Sequence, residues 1–264
     1  MPEMPEVETV RRVLADQLAG LPIEEIVVRR PTFYRPPPKA ALDGLIGRKV
    51  TGFSRRGKFL SLESGERSLV FHLGMSGRLY LTGRPAGNHA VPHCRFEMGF
   101  KGKTLRFIDP RRFGRVGCPL PRFGPEALGP EFTPQSLRAS LRGRGAAIKA
   151  LLMDQRIVAG LGNIYATESL FRAGVRPGRA GGSLTAVEIL RLHGAIVAAL
   201  GEGVRLGGST LDDEAFLDPL GRPGRFQKEV AVYGRKIGAC GHPLRKTRKP
   251  IASRSAAYCP VCQR

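Results

Sequence analysis

Three residues at the start of the chain, Pro2, Glu3 and Glu6, have the groups needed for covalent chemistry. A small residue at position 2 allows removal of the initiator methionine, which would leave Pro2 as the N-terminus. Its nitrogen would then be a secondary amine able to form an iminium with an aldehyde-like sugar carbon, and amines that form Schiff bases are established nucleophilic catalysts. Glu3 and Glu6 would supply acid, base or orienting groups beside it. The structural alternative is that proline and acidic residues simply begin a helix.

The residues that follow predict the elements that would position this N-terminus. Apolar residues at 7, 10, 14 and 18 have helical spacing, and Gly20 is placed to end the helix. Short apolar runs between Gly-rich breaks then indicate strands at 23–28, 50–53, 59–62, 69–73 and 79–81, and a hairpin that turns at 101–103. Strands at this spacing favour a β-sandwich or barrel, flanked here by the first helix.

The second half of the chain has a different pattern. A Pro- and Gly-rich stretch is the best candidate for a linker, and helical signals follow it: a Thr133-Pro134 cap and a capping box formed by Thr185 and Glu188. We therefore predict an α+β multidomain chain. Its parts are an N-terminal domain at 1–117, a linker at 118–132, a helical domain at 133–227 and a C-terminal hairpin at 228–264.

Charge indicates the class of partner. The 264 residues contain 43 Lys and Arg against 22 Asp and Glu, a formal net charge of +21. An excess of this size favours a polyanion as partner, with nucleic acid first, because each neutralised phosphate releases counterions. A membrane is a weaker candidate, since no run approaches the length of a spanning helix and no leader pattern is present. We expect a cytoplasmic, nucleoid-associated protein in which clustered cysteines bind metal rather than form disulfides.

The run from Asp154 to Ala166 places two glycines and Asn163 between helical segments, with Lys149 one turn upstream. A helix N-terminus that follows such a turn presents backbone N–H groups to a phosphate, and Lys149 and Asn163 could add donors. An ordinary tight connection between helices is the alternative. A dinucleotide fingerprint is rejected, because there is no third glycine and no strand leads into the run.

Several motifs occur in one order along the chain. They are Met-Pro-Glu-Met-Pro-Glu-Val-Glu-Thr at the N-terminus, 55–60 (Arg-Arg-Gly-Lys-Phe-Leu), 72–77 (His-Leu-Gly-Met-Ser-Gly), 109–114 (Asp-Pro-Arg-Arg-Phe-Gly), 154–166 and 232–235 (Val-Tyr-Gly-Arg). Together they resemble the bacterial formamidopyrimidine-DNA glycosylase family (Fpg, or MutM) over essentially the whole chain. The resemblance implies an N-terminal β-sandwich flanked by helices and a C-terminal helix–two-turn–helix domain that ends in a zinc-finger-like β-hairpin.

The resemblance also implies a bifunctional base-excision enzyme that removes oxidised purines, chiefly 8-oxoguanine and formamidopyrimidines. Mature Pro2 would attack C1′ and form an iminium, Glu3 would transfer protons, and Glu6 would position the N-terminus. Successive β- and δ-elimination would then cut the strand. The nucleotide must first leave the base stack, because the amine cannot reach C1′ within a duplex.

Further positions match the family's DNA contacts. Met75, Arg111 and Phe113 match the residues that fill the void left by the everted nucleotide, where an apolar wedge offsets unstacking. The matched phosphate contacts are Lys58, which we also place in the catalytic group, and His72, Lys149, Asn163 and Arg254. The segment at about 207–224 resembles the loop that closes over the lesion. Core packing is the alternative for Met75 and Phe113, and a solvated surface lysine is the alternative for Lys58.

The C-terminal finger departs from the family pattern. Cys259-x-x-Cys262 is intact, but the first cysteine of the upstream pair is missing and only Cys240 remains, followed by His242. One Zn²⁺ bound by Cys240, His242, Cys259 and Cys262 is our prediction, since tetrahedral zinc needs four ligands. A zinc-free hairpin held by packing is the alternative.

Two other functions explain part of the pattern. A related endonuclease VIII type, which acts on oxidised pyrimidines, would share the active site, but it usually has glycine at position 4. A non-catalytic DNA- or RNA-binding protein would explain the charge and the cysteine pair, but it would not use Pro2, Glu3 and Glu6 together. The partner that we expect is damaged double-stranded DNA, bound by a monomer.

Overall fold

The computed structural model describes residues 2–83, 91–210 and 216–264. The chain forms two compact units, the first from Met1–Pro121 with Leu206–Arg225 and the second from Arg122–Arg205 with Phe226–Arg264. The division after Pro121 lies inside the predicted linker. Leu206–Arg225, however, groups with the first unit, although the predicted boundaries assigned the loop at about 207–224 to the helical domain.

The first helix, α1 (Met4–Leu18), follows directly from the sequence pattern. Its apolar residues at helical spacing are all buried, and Pro5 lies in the first turn, where a missing backbone N–H costs nothing. Gly20 has φ +83°, a left-handed conformation that suits the end of a helix. The buried face of α1 carries the N-terminus into the core of the first unit.

Two four-stranded antiparallel sheets form most of the first unit. One has the strand order β1-β6-β7-β5 and the other β2-β3-β4-β8. The strands are β1 (Ile23–Val28), β2 (Gly52–Arg56), β3 (Phe59–Ser64), β4 (Arg67–His72), β5 (Arg78–Gly83), β6 (Cys94–Phe100), β7 (Lys103–Ile108) and β8 (Arg115–Val116), with the short helix α2 (Lys39–Leu42) before β2. The predicted hairpin is β6–β7.

A hydrophobic core formed by buried residues of both sheets and α1 joins these elements. Phe71 of β4 lies 5.9 Å from Phe96 of β6 and 6.4 Å from Phe107 of β7, measured between ring centroids. Aromatic contacts of this kind add to the stabilisation from burial. The predicted β-sandwich flanked by a helix is therefore confirmed.

The second unit is mainly helical. Its helices are α3 (Pro134–Leu141), α4 (Ile148–Met153), α5 (Asn163–Ala173) and α6 (Ala186–Arg205), with 3-10 turns at Gly181–Ser183 and Phe226–Lys228. The side chain of Thr133 caps α3, and Thr185 and Glu188 form the predicted reciprocal box before α6. Such caps satisfy backbone N–H groups that have no partner within the helix.

The chain ends in a two-stranded antiparallel hairpin, β9 (Arg245–Lys246) with β10 (Ala257–Tyr258). The α+β class and the C-terminal hairpin agree with prediction. Among the described residues, none of the helices has the length and apolar character required to span a bilayer.

Candidate active site and nucleic-acid surface

The N-terminus is fixed by the carboxylate of Glu6. The backbone N–H of Glu3 donates to Glu6 Oε2 at 2.8 Å, as part of a reciprocal capping box at the start of α1. Pro2 is buried, and Glu3 and Glu6 are each only 2% exposed. Because the Glu3 N–H belongs to the peptide bond that follows Pro2, this hydrogen bond fixes the chain at the predicted nucleophile.

The other oxygen of Glu6 holds a distant segment of the same unit. The backbone N–H of Ser209 donates to Glu6 Oε1 at 2.7 Å. Gly208 has φ +83°, and a Cβ there would lie 2.9 Å from Glu6 Cγ and Oε1; a Cβ on Gly224 would lie 2.3 Å from Gly208 O. Only glycine fits such close backbone approaches. One carboxylate therefore joins the N-terminus to the loop predicted to cover the lesion, whose residues 211–215 lie outside the described residues.

Lys58 lies beside the two carboxylates. It follows the turn residue Gly57 between β2 and β3, and its side chain is buried. Burial lowers the pKa of Lys58, while the nearby charges of Glu3 and Glu6 act to raise it. The structure thus brings the predicted catalytic residues of this unit together.

Met75 and Phe113 are held on two loops that Asp109 connects. The Asp109 carboxylate accepts from Ser76 Oγ at 2.6 Å and from the Gly114 backbone N–H at 2.7 Å. Asp109 is fully buried, whereas Phe113 is 47% exposed and Met75 is half-buried. For Phe113, this exposure argues against the core-packing alternative. From the sequence, Asp109 was assigned no role, although its position as the first residue of the 109–114 motif could have indicated one.

His72 and Arg111 lie near these loops. His72 is the last residue of β4 and packs against Phe59, with ring centroids 4.5 Å apart. Burial lowers the pKa of His72 to about 4, and the charges of Arg115 and Lys58 act in the same direction. His72 is therefore neutral at pH 7, so a hydrogen bond to phosphate would come from a neutral imidazole and not from an imidazolium. Arg111 is exposed, with its guanidinium 5.2 Å from the centre of the Phe113 ring.

In the second unit, the turn before α5 is closed by Gln155. Its amide donates to Leu161 O at 2.9 Å and accepts from the Gly160 N–H at 2.8 Å. Asn163 begins α5, and its Nδ2 donates to the Tyr233 hydroxyl at 3.3 Å. The glycine-bearing turn thus places Asn163 at a helix N-terminus, as the sequence pattern predicted.

Lys149 is completely buried rather than presented on the surface. Its ammonium donates to the backbone oxygen of Ser255 at 3.2 Å, directly after Arg254. Arg254 is half-buried and follows Ala252 and Ser253, which both have positive φ. Lys149 and the Arg254 turn are therefore adjacent within this unit.

Glu168 is a buried residue that sequence reasoning missed. Its carboxylate accepts the N–H groups of Ala231, Val232 and Tyr233 at 2.8–3.0 Å. Hydrogen bonds to a charged acceptor are stronger than neutral ones. Glu168 therefore fixes the segment that carries Tyr233, the partner of Asn163. Its place within a run of helical signals gave no sign of this role.

The four predicted metal ligands converge. The donor atoms of Cys240, His242, Cys259 and Cys262 all lie within 4.8 Å of one another. Burial raises the pKa of Cys259, but hydrogen bonds from the backbone of Cys262 and Val261 outweigh this effect and lower it to about 7. Three thiols and one imidazole form a donor set suited to a soft or borderline metal ion. Cys94 and Cys118 are buried free thiols apart from this cluster.

Comparison with known proteins decides the family. The profile described as "Formamidopyrimidine-DNA glycosylase N-terminal domain" matches residues 1–116, and the "Formamidopyrimidine-DNA glycosylase H2TH domain" profile matches residues 123–215. A protein of Geobacillus kaustophilus named formamidopyrimidine-DNA glycosylase is 42% identical to this chain over the full length of both. A protein of the same name from Thermus thermophilus is 43% identical, over all of this chain and 98% of the relative. The chain belongs to the formamidopyrimidine-DNA glycosylase family.

Solved structures of formamidopyrimidine-DNA glycosylases share the fold. The MutM (Fpg) protein of Thermus thermophilus matches with a TM-score of 0.88 and 41% identity, over 99% of this chain and 98% of that one. A Lactococcus lactis Fpg mutant in complex with Fapy-dG-containing DNA matches with a TM-score of 0.88 and 33% identity over all of both chains. Lactococcus lactis Fpg in complex with DNA containing an abasic site matches equally well, at 33% identity over 99% of both chains.

Proposed function

We propose that this formamidopyrimidine-DNA glycosylase family member removes oxidised purines from damaged duplex DNA and then cuts the strand at the resulting abasic site. The observation that carries the proposal is the double hydrogen bond of Glu6, to the Glu3 N–H on one side and the Ser209 N–H on the other. It supports a buried, fixed Pro2 that is followed directly by the buried Glu3. That arrangement suits an amine nucleophile and a proton-transfer group.

The reaction begins at the amine of processed Pro2. Its lone pair attacks C1′, the bond from C1′ to the damaged base breaks, and the base leaves with the proton that the Pro2 nitrogen loses. Glu3 donates a proton to the ring oxygen as the sugar opens, and the Pro2 nitrogen lone pair forms the iminium with C1′. The iminium makes the C2′ hydrogen acidic, so that its removal expels the 3′ phosphate by β-elimination. A second elimination expels the 5′ phosphate.

Lys58 and Glu6 support this sequence. The Lys58 ammonium shares the site with the Glu3 and Glu6 carboxylates, where it would bind a phosphate beside the lesion and reduce the repulsion between that phosphate and the acids. Glu6, whose carboxylate binds two backbone N–H groups, positions the N-terminus rather than reacting. Four side chains of the same unit would contact the DNA: His72, Met75, Arg111 and Phe113, with Met75 and Phe113 as apolar wedges. Lys149, Asn163 and Arg254 would bind or position the DNA backbone from the second unit.

The names of the relatives support the lesion class that we propose. They are named for formamidopyrimidines, and one solved relative is in complex with Fapy-dG-containing DNA. We therefore propose 8-oxoguanine and formamidopyrimidines as substrates, in preference to the pyrimidine lesions of the endonuclease VIII alternative. The family membership and the fixed N-terminus together disfavour the non-catalytic alternative.

The cysteine and histidine cluster would hold one structural Zn²⁺. Tetrahedral zinc with bonds of about 2.3 Å to sulfur and 2.0–2.1 Å to nitrogen places two sulfurs about 3.8 Å apart and a sulfur and a nitrogen about 3.6 Å apart. The Cys240 and Cys259 sulfurs are 3.7 Å apart, and Cys262 Sγ lies 3.6 Å from His242 Nδ1. These two distances support zinc even though the first cysteine of the usual set is missing. The ion would stabilise the hairpin that carries Arg254.

The net charge of +21 suits a protein that works on chromosomal DNA. We propose a cytoplasmic, nucleoid-associated monomer, since the N-terminal site is formed by residues of one chain.

Borohydride trapping tests the proposal. Processed wild-type protein, mixed with duplex DNA containing 8-oxoguanine or an abasic site and reduced with borohydride, should give a covalent protein–DNA adduct. Protein that retains Met1, in which the Pro2 nitrogen is an amide and cannot form an iminium, should lose the adduct, while processed Pro119→Gly, changed at an exposed proline of the linker, should keep it. If the processed wild type forms no adduct, or if the protein that retains Met1 forms as much as the processed protein, Schiff-base formation by Pro2 is wrong.

A further inference from the structure

Tyr34 belongs to a stack of rings and guanidinium groups around the proposed wedge. The ring centroids of Tyr34 and Phe113 are 5.6 Å apart with the planes tilted by 39°. The Arg112 guanidinium lies 4.7 Å from the centre of the Tyr34 ring, and that of Arg111 lies 5.2 Å from the centre of the Phe113 ring. These four side chains stack in the order Arg111–Phe113–Tyr34–Arg112 and are called the wedge stack.

The wedge stack is exposed, but hydrogen bonds hold the backbone on both sides of it. Tyr34 is 64% exposed and Phe113 is 47% exposed. The Tyr34 backbone N–H donates to Arg112 O at 3.1 Å, and the Arg112 Nε donates to Thr32 O. Arg112 has φ +62°, a conformation that is unfavourable for a residue with a side chain and that often marks functional sites. These contacts hold the segment around Tyr34 against the loop that carries Phe113.

The charge beside the wedge stack suits DNA. A cavity of about 310 Å³ lies against Tyr34 and Phe113, and its other side chains are Arg35, His72, Arg112 and Arg115, with no acidic residue among the described residues that line it. Arginine next to aromatic rings is a combination that recurs where proteins bind unstacked nucleotides. The phosphate backbone could therefore approach the wedge stack without meeting a negative charge from this lining.

We propose that Tyr34 is a positioning residue for lesion recognition, which holds the Phe113 ring in place before DNA binds. This inference rests on the proposed function, since Phe113 has to be the wedge that fills the void at an unstacked site. A side chain that is already ordered loses less conformational entropy on binding, so pre-ordering increases affinity without a new contact. Tyr34 acts through Phe113, and its ring matters more than its hydroxyl.

The test measures how strongly the protein prefers damaged DNA. Binding constants are determined for a duplex with a central tetrahydrofuran abasic analogue and for the same duplex intact. Their ratio is the selectivity, which needs no covalent chemistry. Tyr34→Ala should lower the selectivity about 2- to 12-fold, the range that corresponds to an aromatic pair. Tyr34→Phe should keep it, and so should Ile46→Ala, which shortens an exposed apolar side chain elsewhere in the first unit.

A double-mutant cycle shows whether Tyr34 acts through Phe113. Phe113→Ala should lower the selectivity, and adding Tyr34→Ala should lower it no further. The inference is overturned if the two effects multiply, if Tyr34→Phe loses as much as Tyr34→Ala, or if Tyr34→Ala weakens binding to both duplexes equally. The last two results would indicate a hydroxyl contact and a general backbone contact, respectively.

The same proteins separate this inference from the proposed function. If borohydride trapping fails but the selectivities change as expected, the Schiff-base mechanism is wrong and the role of Tyr34 stands. If trapping succeeds but the effects of Tyr34→Ala and Phe113→Ala on selectivity multiply, only the role of Tyr34 is wrong.

Discussion

Replacing Glu6 by glutamine tests the double hydrogen bond that fixes the N-terminus. Glu6 is 2% exposed and accepts two backbone N–H groups, from Glu3 at 2.8 Å and Ser209 at 2.7 Å. A glutamine amide has one acceptor oxygen, so one hydrogen bond is lost and an NH₂ group faces a backbone N–H. A hydrogen bond to a charged group contributes about 1.5–3 kcal/mol, and the loss lies at the upper end of this range when a buried donor is left unpaired, so we expect about 3 kcal/mol of destabilisation.

Two measurements check Glu6→Gln. At about 2–4 °C per kcal/mol for a chain of this size, the thermal midpoint should fall by about 6–12 °C. Single-turnover trapping on abasic DNA should slow at least about tenfold at a temperature where the variant is folded, because about 1.4 kcal/mol of lost positioning has that effect on a rate. Glu66→Gln, at an exposed glutamate in the β3–β4 turn, is the matched control. If Glu6→Gln matches this control in both midpoint and trapping rate, Glu6 does not hold the N-terminus in the way described.

Three further predictions concern the second unit. Glu168→Gln should weaken DNA binding and lower the free energy of unfolding by about 2–4 kcal/mol, because the carboxylate accepts hydrogen bonds from three backbone N–H groups. If the variant binds DNA and unfolds in urea as the wild type does, Glu168 does not fix this segment. Purified protein should contain one zinc per chain, and Cys262→Ser should lose it while Cys118→Ser keeps it; equal metal content in both variants would remove zinc from the account. Arg179 holds the pKa of Glu188 at about 2, below its ordinary 4.5, so the stability from this pair is present above pH 4.5 and is lost as pH falls towards 2. The stability difference between wild type and Glu188→Gln, measured by urea unfolding, should therefore shrink over that range, and a constant difference would refute it.

Much of the fold was predictable because local signals and packing agree. The apolar spacing of α1 and the alternation along β6 and β7 predicted elements that the structure contains at nearly the same bounds. The two-residue strand β8 was missed, because Arg115–Val116 is too short for any periodicity and depends on pairing with β4.

The candidate site was predictable as residues but not as contacts. Pro2, Glu3 and Glu6 stood out by type and spacing, and the spacing of the metal ligands indicated their cluster. The Ser209 contact to Glu6 and the Tyr34 contact to Phe113 join residues far apart in the chain, so only the folded backbone brings them together. The burial of Lys149 was hidden for the same reason, since its partner Ser255 lies in the C-terminal hairpin region.

The most direct test of the central claim is mass spectrometry of the borohydride-reduced protein–DNA adduct after proteolysis. The sugar remnant should lie on an N-terminal peptide that begins at Pro2 and lacks Met1. Lys58 is a second amine in the site, and burial lowers its pKa. A remnant on Lys58, or on a peptide that still carries Met1, would contradict Pro2 as the nucleophile.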